Sequence, residues 1–277
     1  MNKPLTLIVS LLVNIISACA SYPSIKPETE AIDGKMQLIE TPSNGFVLTS
    51  FQRLQNTNAP IRIYIEGDGF AWITRTQASN NPTPKNALAL KLALQDTSPN
   101  VIYLARPCQY SLDKSPKCNL SHWTDARFSP EIIKLLNDSL NAIKSAHPQQ
   151  SFELIGYSGG ATIALMLAAG RDDILNVRTV AGNLSPNLVN HLHKVSEMPN
   201  AADPITISNK TAAIPQLHFY GTDDKVVPKV IAETYLKSII DKGCAKIIAV
   251  ENTSHEYGWL EAWPALLSQP LNCNAHL

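Results

Sequence analysis

The stretch Phe152-Glu153-Leu154-Ile155-Gly156-Tyr157-Ser158-Gly159-Gly160-Ala161 decides the fold. Its first half is an apolar run of strand length, and residues 159–169 have the Ala- and Leu-rich composition of a helix. Between them lies Gly-x-Ser-x-Gly, so Ser158 falls on a tight strand-to-helix turn. On such a turn the serine Oγ projects from the edge of a sheet, and the flanking glycines permit a strained backbone and close packing of helix on strand. The helix N-terminus also turns backbone N–H groups to where negative charge develops on an acyl oxygen. The bare pattern is only suggestive; the strand before it and the helix after it give it weight.

Outward from this turn the chain alternates strand and helix. Strands are expected at residues 45–53, at 61–66, where Ile61, Ile63 and Ile65 alternate with Arg62 and Tyr64, and at 101–105, 177–181, 216–220 and 245–250. Helices are expected at 86–95, 130–147, 228–240 and 257–267; Ser129 before Pro130 caps the second, and Pro148 stops it. Strands regularly separated by helices mean an α/β protein with a mainly parallel, doubly wound sheet. Residues 107–127 fit neither period, and an irregular stretch of that length inside a domain is usually functional. His122, Trp123 and Arg127 are expected to shape a pocket there, and residues 183–215 to cover the site as a cap.

A serine hydroxyl needs a general base to take its proton, so an acid and a histidine are required downstream in that order. The strand ending at Tyr220 leads into Gly221-Thr222-Asp223-Asp224-Lys225-Val226-Val227-Pro228, and the strand ending at Val250 leads into a loop with a single histidine, His255. With these residues the sequence resembles the α/β-hydrolase family over roughly residues 61–267. The register of the family's acid turn selects Asp224 over Asp223. The resemblance implies that Ser158 attacks an acyl carbon, His255 shuttles the proton and Asp224 orients the imidazole. It also implies an oxyanion hole from the Gly159 N–H and a second N–H, from Asp68 or Gly69, in Glu66-Gly67-Asp68-Gly69. The histidine usual in that family loop is replaced here by Glu66. No metal and no organic cofactor is expected. Arg75 and Arg106, on loops after strands, read as structural ion pairs or as binders of an anionic substrate group.

The amino terminus reads as a targeting segment. Lys3 precedes an apolar stretch of about 14 residues, too short to span a bilayer and suited to a secretory signal. Ile16-Ser17-Ala18-Cys19 resembles the bacterial lipoprotein signal, which implies cleavage after residue 18 and lipidation (palmitate) of Cys19 as a membrane anchor. Ala20 stands where an aspartate would retain the protein in the inner membrane, so the resemblance points to the outer membrane of a bacterial cell envelope. Residues 19–41 read as a tether and 42–277 as the hydrolase domain. Four cysteines remain, an even set suited to disulfides in an oxidising compartment; spacing favours Cys108 with Cys118 and Cys244 with Cys273.

The full chain of 277 residues carries 23 Lys+Arg against 23 Asp+Glu and is 17% charged. It lacks the clustered basic excess of a nucleic-acid binder and the composition of a disordered chain. Without signal and tether roughly 235 residues remain, the size of one α/β domain. The expected function is hydrolysis of an acyl bond in a small-molecule substrate, a carboxylic ester first, with an amide, peptide or thioester as the rival and an idle scaffold of the same fold as the second rival. Oligomeric state is left open.

Overall fold

The computed structural model describes residues 26–273. The signal segment and Cys19 lie outside them. In chain order the elements are α1 (Pro27–Asp33), β1 (Gln37–Ser43), β2 (Phe46–Leu54), β3 (Ile61–Ile65), α2 (Leu88–Gln95), β4 (Asn100–Leu104), α3 (Pro130–Ala146), β5 (Phe152–Tyr157), α4 (Gly159–Ala168), β6 (Ile174–Val180), α5 (Pro186–His193), α6 (Pro204–Ile207), β7 (Gln216–Gly221), α7 (Val230–Ser238), β8 (Ala245–Val250) and α8 (Trp259–Leu267). The eight strands form one sheet in the order β1-β2-β4-β3-β5-β6-β7-β8. β1 and β2 run antiparallel at one edge and the remaining strands are parallel.

The core follows from the two-residue period of the strands. Ile61, Ile63 and Ile65 of β3 and Phe152 and Leu154 of β5 face one side, where α3, α4 and α7 pack. Tyr64 of β3 and Ile155 and Tyr157 of β5 face the other, against α2 and α8 with Trp259 and Trp263. Helices cover both faces, so the strands are buried on both sides and read as nearly continuous apolar runs. The Ser129 hydroxyl caps α3 as expected, accepting from the Ile132 N–H.

The tether expectation for residues 19–41 is corrected over its described part. Pro27 with Glu28 and Glu30 starts α1, Ala31 and Met36 are buried, and β1 pairs along its whole length with β2. β1 escaped notice because it is an edge strand with little burial, held by main-chain hydrogen bonds rather than an apolar stripe. Both cysteine pairs favoured by spacing form disulfides: Cys108–Cys118 within the irregular loop, and Cys244–Cys273, which ties the start of β8 to the tail.

Candidate active site

Ser158 ends β5 with φ 50° and ψ −120°, a backbone conformation that non-glycine residues rarely adopt. Its surroundings leave the chain no other course. A methyl group at Gly160 would stand 2.2 Å from the Ile65 carbonyl oxygen, and one at Gly156 would stand 2.5 Å from that of Gly160, so the glycines let β5, the turn and β3 meet. The Ser158 N–H donates to the Val180 carbonyl on β6, and its own carbonyl accepts from Asn183. The side chain is left at the C-terminal edge of the sheet, at the start of α4, partly open to solvent.

The loops after β7 and β8 deliver its partners. Ser158 Oγ lies 3.0 Å from His255 Nε2, and His255 Nδ1 lies 2.9 Å from Asp224 Oδ2. Asp224 Oδ1 accepts from the Val226 and Val227 N–H groups, both at 2.8 Å, and its carboxylate is fully buried. With its acceptors filled by the backbone on one side and the imidazole on the other, it can move little. Asp223 is exposed, and its backbone N–H donates to the Thr253 carbonyl. The His255 backbone is fixed from below, its carbonyl accepting from Tyr157 Oη and Trp259 Nε1. The three candidates thus come together from the ends of β5, β7 and β8, at sequence separations of 97 and 31 residues.

The loop after β3 borders the same spot. A methyl at Gly67 would stand 3.1 Å from Ser158 Cβ, and one at Gly159 would strike Asp68 Oδ1 at 2.1 Å. The Gly67 N–H is taken by Glu66 Oε1 at 2.9 Å and the Phe70 N–H by the Pro82 carbonyl. The Asp68, Gly69 and Gly159 N–H groups have no hydrogen-bond partner among the described residues. Gly69 (φ 66°) is turned against Pro82 and Gln109, whereas the Asp68 carboxylate lies against Gly159, the residue after Ser158. Burial pushes the Glu66 carboxyl up to about 7; the Gly67 N–H and, more weakly, the Tyr103 hydroxyl hold it from going higher. Its second oxygen has no completed hydrogen bond among the described residues.

The arginines divide in a consistent way. Arg106 is buried, its guanidinium drawn down to about 10 by burial, and with Arg127 it grips the Asp68 carboxylate at 3.3 and 2.8 Å. Arg75 donates to the His193 carbonyl. Arg106 and Arg127 are thus ion-pair partners of Asp68, whereas Arg75, like Arg127, lines a cavity. This cavity, of about 580 Å³, is lined among others by Trp72, Arg75, Arg127, His193, Val195 and Met198; none of Ser158, Asp224 and His255 lines it. Two of its lining side chains reach toward the site: Arg127 holds Asp68, and His193 Nε2 lies 2.7 Å from the Val226 carbonyl beside the Asp224 turn. Residues of both irregular stretches, 107–127 and 183–215, line the cavity. His122 and Trp123 do not line this cavity; with Arg127 they line a separate small hollow beside Asp68, Arg106 and Gln109. Trp123 is buried with its Nε1 on the Ser79 carbonyl, and His122 caps a 3-10 turn by accepting from the Asn119 N–H while packing edge-on against Phe46. His218, buried in β7 between Thr179 and Gln216, is pushed down to about 3 by desolvation and stays neutral.

A profile of the family described as Serine hydrolase (FSH1) matches residues 85–253, more than half of the chain and inclusive of Ser158 and Asp224. The chain belongs to this serine hydrolase family. A search of curated protein sequences finds no match. Among solved structures, an alpha-beta serine hydrolase homologue from Coxiella burnetii superimposes with a TM-score of 0.57 at 13% identity, over 83% of this chain and 95% of that one. An acylaminoacyl peptidase from Pyrococcus horikoshii gives 0.61 at 12% identity over 83% of this chain and 38% of its own. Est1E from Butyrivibrio proteoclasticus gives 0.56 at 14%, over 83% and 95%. At such identities these likenesses speak for the α/β-hydrolase fold alone. For this serine hydrolase the sequence left two buried groups near the site unassigned or in doubt: Glu66, an acid closing the apolar run of β3, and Gln109, beside Cys108.

Proposed function

We propose that the protein hydrolyses carboxylic esters of small molecules through an acyl-enzyme on Ser158, with His255 as general base and acid and Asp224 as the group that orients it. The observation that carries this is the unbroken hydrogen-bonded series Asp224–His255–Ser158 at a strained turn, beside N–H groups without a partner among the described residues. Ser158 Oγ adds to the ester carbon as its proton passes to His255 Nε2, which then protonates the leaving alcohol. The oxyanion is received by the Gly159 and Asp68 N–H groups. Water, deprotonated by His255, releases the acid. A fluorophosphonate probe is expected to label the folded wild type and not Ser158→Ala; an unlabelled wild type would refute the mechanism. Turnover of chromogenic esters beside peptide amides tests the ester assignment, which fails if amides turn over faster. We further propose that Cys19 carries a lipid anchor to the outer membrane, supported by the Ile16-Ser17-Ala18-Cys19 junction. Cys19→Ser is then expected to abolish palmitate incorporation and release the protein from membranes.

A further inference from the structure

The peptide linking Gly67 to Asp68 is held by groups that the triad does not explain. Gln109 Nε2 donates to the Gly67 carbonyl at 3.1 Å, and Gln109 Oε1 accepts from the Arg106 N–H at 2.9 Å, so both ends of one buried amide are committed. The same side chain packs on the far face of the loop, where a methyl at Gly69 would stand 2.5 Å from its Nε2. In a trans peptide the carbonyl and the following N–H point to opposite sides. Holding the Gly67 carbonyl on the Gln109 side therefore turns the Asp68 N–H away from Gln109, and Gly67 backs onto Ser158.

Gln109 reaches this position at a backbone cost. The residues on either side of it, Cys108 (φ 72°) and Tyr110 (φ 63°), both occupy the left-handed region without being glycine. Such conformations persist where surrounding structure over-determines them and gather at functional sites. Here Cys108 is held by its disulfide to Cys118, the Tyr110 N–H by Thr83 Oγ1 at 2.8 Å, and the Gln109 N–H by the Arg106 carbonyl.

We infer that Gln109 is a positioning residue for acyl transfer: by fixing the Gly67 carbonyl it aims the Asp68 N–H at the oxyanion. This rests on the ester-hydrolase mechanism proposed above, and the test separates the two. Gln109→Glu keeps an acceptor for the Arg106 N–H but places an oxygen against the Gly67 carbonyl where a donor is required, and Gln109→Met removes both contacts. Steady-state kinetics on a short-chain p-nitrophenyl ester, fluorophosphonate labelling rates and thermal melts are measured on the same preparations. Removing an oxyanion donor outright costs about 100- to 1000-fold in kcat, so misaiming one is expected to lower kcat about 10- to 100-fold in both variants. KM is expected to stay within about twofold, because the donor acts on the transition state rather than on bound substrate. A merely structural residue would instead lower the melting temperature and leave the kcat of the folded fraction intact. Wild-type kcat in Gln109→Glu, or a loss confined to KM, overturns the inference while the mechanism stands; a wild type that neither turns over ester nor takes the label overturns both.

Discussion

Replacing Glu66 by glutamine is expected to stabilise the protein, and to do so increasingly as pH rises. Burial lifts this carboxyl from 4.5 to about 7, so the folded state holds the proton more tightly than the unfolded chain. Below pH 4.5 both states are protonated and the group contributes nothing to pH dependence. Between 4.5 and 7 the unfolded chain ionises while the folded one does not, and stability falls with each pH increment. Above 7 the loss is complete and amounts to about 3 kcal/mol. Glutamine keeps an oxygen for the Gly67 N–H and carries no charge to bury. For a domain of this size the difference corresponds to a melting temperature about 6–12 °C higher for Glu66→Gln at pH 8. The assay is thermal unfolding of wild type and variant side by side from pH 4.5 to 8.5. Other groups around this carboxyl, Tyr103, Tyr110, Tyr157 and Arg106 among them, enter both curves and largely cancel in the difference. The two curves should diverge between pH 5 and 7. Curves that run parallel across the range would refute the claim that a buried carboxyl with a raised pKa sits at Glu66, before the Gly67–Gly69 loop.

Further expectations follow from the site and its frame. Asp224→Asn should lower kcat on esters by about 10³- to 10⁴-fold with little change in fold, because the amide favours the wrong imidazole tautomer; a loss under tenfold would show that the carboxylate is not needed. His218→Gln should leave the pH–rate profile unchanged, since this histidine stays neutral far below the working range; a displaced profile would implicate it in catalysis. Gly160→Ala should destabilise the protein by at least about 2 kcal/mol, as the methyl meets the Ile65 carbonyl at 2.2 Å with only backbone to yield; unchanged denaturant melts would contradict this. Replacing Cys244 and Cys273 together by serine opens a loop of 29 residues and should cost about 3–4 kcal/mol by chain entropy, with activity per folded molecule retained.

Most of the fold was legible along the chain because it rests on short-range signals. β3 announces itself by its alternating isoleucines, β5 with its turn by an apolar run meeting glycines, and α3 by a serine cap and a proline stop. Elements that draw their stability from a distant partner were not legible. β1 owes its place to the hydrogen-bonding edge of β2, and α1 to the burial of Ala31, and neither leaves a periodic mark.

The site divides along the same line. The residue types at the ends of three strands were enough by themselves to nominate Ser158, Asp224 and His255, because a parallel sheet brings its strand ends to one edge wherever they lie in the chain. Setting Asp68 rather than Gly69 against Gly159, and joining Gln109 to the Gly67 carbonyl, both required the folded chain. Each depends on which way a single peptide or side chain faces across a contact between remote segments, and packing sets that direction.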